Sequence, residues 1–100
     1  VTTRPTPMQV QRAARELGGY ISTWRKLMRF TSQQVADKAG ISRGTVSRLE
    51  NGDPNVSLAA YLGVLRVLDR LDDAVKVLDP YETEFGRAQS EHILPERVRK

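Results

Sequence analysis

The chain has 100 residues, 39% hydrophobic and 28% charged, with a formal net charge of +4, which is the size and balance of one small globular domain with a tail and leaves no room for a large catalytic scaffold. No apolar run approaches the roughly 18 residues of a spanning helix, and the polar start VTTRPTPMQVQ lacks the apolar region of a signal peptide, so a cytoplasmic protein with no membrane partner is expected. Zero cysteines exclude disulfides and thiolate metal sites, and a single histidine excludes pairs such as H-E-x-x-H, so neither metal nor cofactor is expected.

The charge is unevenly placed. Residues 1–53 carry nine Lys/Arg against four acids, residues 54–86 carry three against six, and the last fourteen residues carry four against two. A basic first half favours a polyanionic partner, with nucleic acid ahead of membrane.

Helical spacing runs through the chain. Thr6, Pro7 and Gln9 offer an N-cap, a first-turn proline and a capping-box partner, and Val10, Ala14, Leu17, Ile21, Trp24 and Met28 then recur on one stripe, predicting a helix over residues 7–29. Gly18 and Gly19 lie inside it at a cost of about 1 kcal/mol each relative to Ala. They imply either a close neighbour or the meeting of two shorter helices, of which one continuous helix is the reading adopted.

Thr31 opens a second helix with Gln34 as its capping-box partner and Val35, Ala36 and Ala39 as its apolar stripe, and Gly40 ends it. Ser42 then caps a third helix over residues 43–50 whose inward side is Val46 and Leu49. A turn at residues 51–54 leads to Ser57, the cap of a fourth helix with Leu58, Leu62, Leu65 and Leu68 on its stripe. Leu71, Val75 and Leu78 mark a short fifth before Asp79 and Pro80. The expectation is an all-α fold: a compact five-helix domain over residues 17–79, an N-terminal extension of the first helix over 1–16, and a tail over 80–100.

Two short helices joined by a tight turn cross steeply, which demands a small residue at the approach, a turn glycine and apolar facing sides. Ala36, Gly40, Ile41, Val46 and Leu49 meet those demands in order. The third helix then presents Arg43, Gly44, Thr45, Ser47 and Arg48, a set suited to lying in a DNA major groove. An αα-hairpin with a solvated polar face would share each feature singly; their combination with a basic half points to DNA.

Here the chain resembles the Xre-like helix-turn-helix family, of the phage repressor and Cro type, through T-S-Q-Q-V-A-D-K-A-G-I-S-R-G-T-V-S-R-L-E-N-G at residues 31–52, with the likeness extending over 17–78. The resemblance implies that Ser42 starts the recognition helix and that Arg43, Gly44 and Arg48 read base edges with Thr45 and Ser47 beside them. It places Thr31, Ser32 and Gln33, together with Ser42, Asn51 and Gly52, at phosphate contacts, a role that helix N-termini suit. It also implies an ion pair between Arg25 and Glu50. Gly44 departs from the family in having no side chain where relatives carry a polar reader, and Ser32 replaces a commoner glutamine.

The runs L-D-R-L-D-D-A-V-K-V-L-D-P, E-F-G-R-A and I-L-P-E-R-V-R-K resemble the ending of HipB-type antitoxins, small repressors paired with HipA-like serine/threonine kinases. That likeness implies a homodimer that binds double-stranded operator DNA, represses its own operon and holds a kinase toxin inactive. Phe85, Ile93 and Leu94 are then candidates for burial against a second protomer or a partner, the alternative being a frayed tail. A stand-alone phage-like regulator and a protein- or RNA-interaction module on the same fold remain the other readings. No enzyme is expected: Arg25 and Glu50 lack a nucleophile beside them, and His92 stands alone in the tail. Trp24 and Tyr61 read as core, and the sequon at Asn55 reads as part of the Ser57 cap.

Overall fold

The computed structural model describes residues 4–93, and among them it shows six α-helices, one 3-10 turn and no strand. The helices are α1 (Met8–Leu27), α2 (Ser32–Ala39), α3 (Arg43–Glu50), α4 (Leu58–Val67), α5 (Leu71–Val77) and α6 (Glu84–Ile93), with the 3-10 turn at Pro80–Glu82. The chain divides into two compact units, Val1–Arg70 and Leu71–Lys100. The division between the units falls before α5, where the sequence reading sets its limit at residue 79, and α1 runs unbroken from Met8 across residue 16.

Local side-chain chemistry places the helix starts. The Thr31 hydroxyl accepts from the Gln34 amide at 3.0 Å while the Gln34 side chain accepts from the Thr31 amide at 2.8 Å, a complete capping box. Ser42 accepts from the Thr45 amide at 3.0 Å and Ser57 from the Ala60 amide at 3.1 Å. The first helix differs from its reading: its N-cap is Pro7, whose ψ of 146° is extended, and no side chain caps it. Thr6 instead offers its carbonyl to the Gln11 side chain at 2.8 Å.

All four helices of the first unit end alike. A residue with positive φ follows each (Arg29, Gly40, Gly52 and Asp69), and the next amide bonds back to the carbonyl five residues earlier, as Phe30 does to Arg25 and Ile41 to Ala36. Arg29, at φ 61°, turns the chain out of the helix, which is why α1 stops short of the expected residue 29.

The core of this unit is Ile21, Val35, Ala36, Val46, Leu49, Ala60, Val64, Leu65 and Leu68. α2 packs on α3 and α4, and α1 packs on α3. Two sequence expectations are corrected. α4 turns Ala60 and Val64 inward with Leu65 and Leu68, leaving Leu58 exposed and Leu62 half-buried. The segment is apolar almost all round, so its periodicity does not choose a face, and small Ala60 admits its neighbour more closely than Leu58 would. On α1 only Gly18 and Ile21 are buried, while Val10, Leu17 and Trp24 stay at the surface. Trp24 is not core; the Arg70 guanidinium sits over its ring, 4.5 Å from the centroid.

In the second unit, the expected tail contains helix α6. Thr83 anchors its start, its hydroxyl accepting from the Gly86 amide at 2.9 Å and donating to the Pro80 carbonyl at 3.0 Å. Gly86 lies directly against the Pro80 carbonyl, where a Cβ would not fit. No residue of α5, the 3-10 turn or α6 is buried. Phe85 and Ile93 are exposed, and Leu94 lies outside the described residues. Among the described residues no helix is long and apolar enough to cross a membrane, and no three His, Cys, Asp or Glu side chains group as a metal site.

Candidate nucleic-acid interface

Helix α3 is built to show one face. Val46 and Leu49 are buried, and Arg43, Gly44, Ser47 and Arg48 are exposed with Thr45 half-buried at the margin. At 100° per residue the four exposed positions cover roughly 140° of the helix circumference, so they form one continuous surface. The Thr45 hydroxyl is 2.8 Å from that of Ser42, which ties the margin of the face to the helix cap.

Nothing in the fold requires Gly44. A Cβ built there would meet only the Ser42 hydroxyl, at 3.8 Å. The absent side chain leaves open space beside two arginines, where another backbone or a base edge can approach.

The C-terminal end of α3 is clamped by α1. A Cβ on Gly18 would lie 2.5 Å from the Leu49 carbonyl oxygen and 2.6 Å from that of Glu50, so α1 and the end of α3 are in backbone contact. Two turns further along α1, Arg25 meets Glu50 with two parallel bonds, Nε to Oε2 at 2.7 Å and a terminal nitrogen to Oε1 at 3.1 Å. Its other terminal nitrogen donates to the Phe30 carbonyl at 3.1 Å. The side chains of the pair are 14% and 12% exposed. The Glu50 bonds raise the Arg25 pKa against the opposing effect of burial, so Arg25 stays charged throughout the working range. Gly18 and Arg25 are seven residues apart, which is the spacing that puts both on the same side of α1.

Arg48 is held by a residue that the motif did not single out. Its Nε donates to Asp53 Oδ2 at 2.8 Å, and the other Asp53 oxygen accepts from the Asn55 amide at 2.8 Å. These bonds, the Arg48 one first, hold the Asp53 carboxyl below the usual carboxylate range. A depressed carboxylate contributes its share of stability above its ordinary pKa and loses it as pH falls through the lower folded value. The signal for Asp53 in the sequence is the Asp-Pro-Asn turn, a setting in which an Asp side chain bonds the backbone two residues on.

The residues placed at phosphate contacts divide in the structure. Thr31, Gln33, Ser42 and Asn51 are exposed and Ser32 is half-buried, with Ser32 and Gln33 in the first turn of α2 at the positive end of its dipole. Gln33 donates to Asp37 at 2.9 Å, and Asn51 reaches the Ser47 hydroxyl at 3.4 Å. Gly52 stands apart from this set. It is buried at φ 83° with its amide bonded to the Leu49 carbonyl, and a Cβ there would collide with the Arg15 backbone at 2.6 Å. Its place is the junction of the α3 end with α1.

A family model described as a helix-turn-helix matches residues 21–71, which takes in α2, α3, α4 and the clamp between Arg25 and Glu50. Neither the curated proteins nor the solved structures gave a match.

Proposed function

The chain belongs to the Xre-like helix-turn-helix family of DNA-binding transcription regulators, and from that premise we propose that it is a sequence-specific repressor of double-stranded DNA, acting as a homodimer, with α3 as the helix that enters the major groove. The observation that carries this reading is the α3 face: two exposed arginines flank an open glycine on a short helix whose opposite side is buried and whose end is clamped. Guanidinium groups donate paired bonds to the O6 and N7 acceptors of guanine, and Arg48, with Nε engaged by Asp53, has its remaining N–H donors for that purpose. The first turn of α2, with Thr31, Ser32 and Gln33, supplies the backbone grip, because helix N-termini favour phosphate. The activity is binding, with no reaction catalysed.

Selection of duplex sites followed by titration at fixed salt tests the proposal. Arg48→Ala is expected to weaken the selected site by about 1 to 3 kcal/mol and to relax the preference at one base position. Equal losses on selected and random duplexes would make Arg48 a phosphate contact, and no selected site at all would sink the repressor reading. Gly44→Ala is expected to act in opposite directions on fold and function. It stabilises the free protein by up to about 1 kcal/mol, since an exposed helical Gly is replaced by Ala, and it weakens DNA binding by filling the space at the groove. Melting and binding measured on the same preparation check both signs.

The finer reading is an antitoxin that represses its own operon and neutralises a HipA-like serine/threonine kinase. It is supported by the likeness of the C-terminal run and by Phe85 and Ile93, which are 76% and 67% exposed on a helix with no buried residue. Copurification of a kinase with the full chain, lost on Phe85→Ala, is the expected result. Operator DNA recovered without a kinase would leave a stand-alone regulator.

A further inference from the structure

Helix α1 carries a second apolar stripe beside the one that packs on α3. Val10, Ala13, Leu17, Tyr20, Trp24 and Leu27 follow one another at alternating steps of three and four residues, the repeat of a coiled-coil seam. All six are exposed: Val10 48%, Leu17 45%, Tyr20 61%, Trp24 38% and Leu27 67%, with Ala13 also in the exposed class. We propose that this seam is the dimer interface, formed by two α1 helices of two copies of this chain lying antiparallel. The proposal rests on the homodimeric reading above and supplies the surface that reading lacks.

Three observations favour a second copy as the occupant. The seam is complementary in size to its own reverse. Antiparallel pairing sets Ala13 against Trp24, Val10 against Leu27 and Leu17 against Tyr20, so that small or medium side chains meet larger ones in every layer. Parallel pairing would instead stack Trp24 on Trp24 and leave a void between two copies of Ala13. The area also suffices: at these exposures the stripe with its neighbour Met28 offers roughly 600 Å² per copy, which for two copies is the lower bound of the about 1,200–2,000 Å² in total that a standard stable interface buries. Helix polarity agrees as well. An antiparallel neighbour opposes the two helix dipoles and keeps the two Lys26 side chains, each in the last turn of its α1, at opposite ends of the interface. Such an interface is isologous, as a twofold dimer requires. Arg70 over one face of the Trp24 ring holds the indole in place for the contact.

Sedimentation of the full chain, with circular dichroism as the check on folding, is the first test. The wild-type protein is expected to sediment as a dimer at micromolar concentration. Leu17→Glu is expected to raise the dimer dissociation constant at least about 100-fold with helix content unchanged, because a charge is placed in the centre of the seam in both copies. The chain contains no cysteine, so disulfide mapping is clean. Mixed Val10→Cys and Leu27→Cys proteins are expected to form the mixed disulfide in preference to either self-linked product. If Leu17→Glu loses helix content, the mixed disulfide decides alone. A wild-type chain that stays monomeric up to about 0.1 mM, a dimer indifferent to Leu17→Glu, or self-linked Val10→Cys as the main product would each overturn the proposal. Titration of a single half-site with wild-type and Arg48→Ala protein tests DNA recognition independently of dimerisation, so loss of one reading is told apart from loss of the other.

Discussion

The same substitution at two adjacent glycines of α1 is expected to give opposite results: Gly18→Ala destabilises the protein by about 2 kcal/mol, whereas Gly19→Ala stabilises it by up to about 1 kcal/mol. Both replacements gain about 1 kcal/mol of helix propensity. At position 19 nothing lies within 4 Å of the added methyl, and the gain stands. At position 18 the methyl meets the carbonyl oxygens of Leu49 and Glu50 at 2.5 and 2.6 Å and the Glu50 carbonyl carbon at 2.9 Å. These are backbone atoms at the end of α3 and cannot rotate away, so α1 and α3 must separate. Overpacking of this kind costs about 3 kcal/mol at its upper range, which outweighs the propensity gain. Urea unfolding of the two variants decides the matter; a common sign would mean that the helices do not meet at Gly18. Since α3 carries the proposed reading face, Gly18→Ala should also weaken DNA binding beyond what its unfolded fraction explains.

Glu50→Ala is expected to cost about 3 kcal/mol, the lower end of what breaking a buried pair costs, because a small part of each side chain still meets water. The loss arises less from the attraction given up than from what remains. Arg25 stays charged, keeps only its bond to the Phe30 carbonyl, and is left shielded from solvent without its carboxylate. Glu50→Gln retains the shape and one acceptor and is expected to lose about half as much. High salt should narrow the difference little, since screening acts weakly on a sheltered pair. A melting temperature unmoved by Glu50→Ala would show that the pair contributes nothing in solution.

Both effects rest on contacts between residues far apart in the chain, which a sequence shows least directly. Arg25 and Glu50 are 25 residues apart, and only likeness to a family with that pair linked them beforehand. Gly18 was legible as a question, since a helical glycine signals either a break or a close neighbour, but the neighbour is 31 residues on. By contrast, the caps at Thr31, Ser42 and Ser57 and the left-handed end at Gly40 were readable directly, because each involves a bond spanning only a few residues. The start of α1 was misread at Thr6 because Pro7 takes the capping position itself, and its end because Arg29 adopts a left-handed backbone that residue type does not announce.

The candidate site shows the same division. Arg43, Gly44, Ser47 and Arg48 follow from the period of a short helix with Val46 and Leu49 on its inner side. Gly52 looked equivalent to Asn51 in the motif, yet it is turned inward against Arg15, and Asp53 entered the site through its grip on Arg48.

The amino-acid sequence by itself determined an all-helical chain, the limits of α2 and α3, and the polar face that α3 presents, because caps, turns and helical period are set by residues within a turn or two of one another. Tertiary structure alone decided which side of α4 is buried, that α1 leaves a heptad seam uncovered, and that Gly18 and Arg25 together hold the end of α3. Each depends on which surface a second helix brings near, and a strongly apolar helix offers several faces of nearly equal hydrophobicity among which only packing chooses.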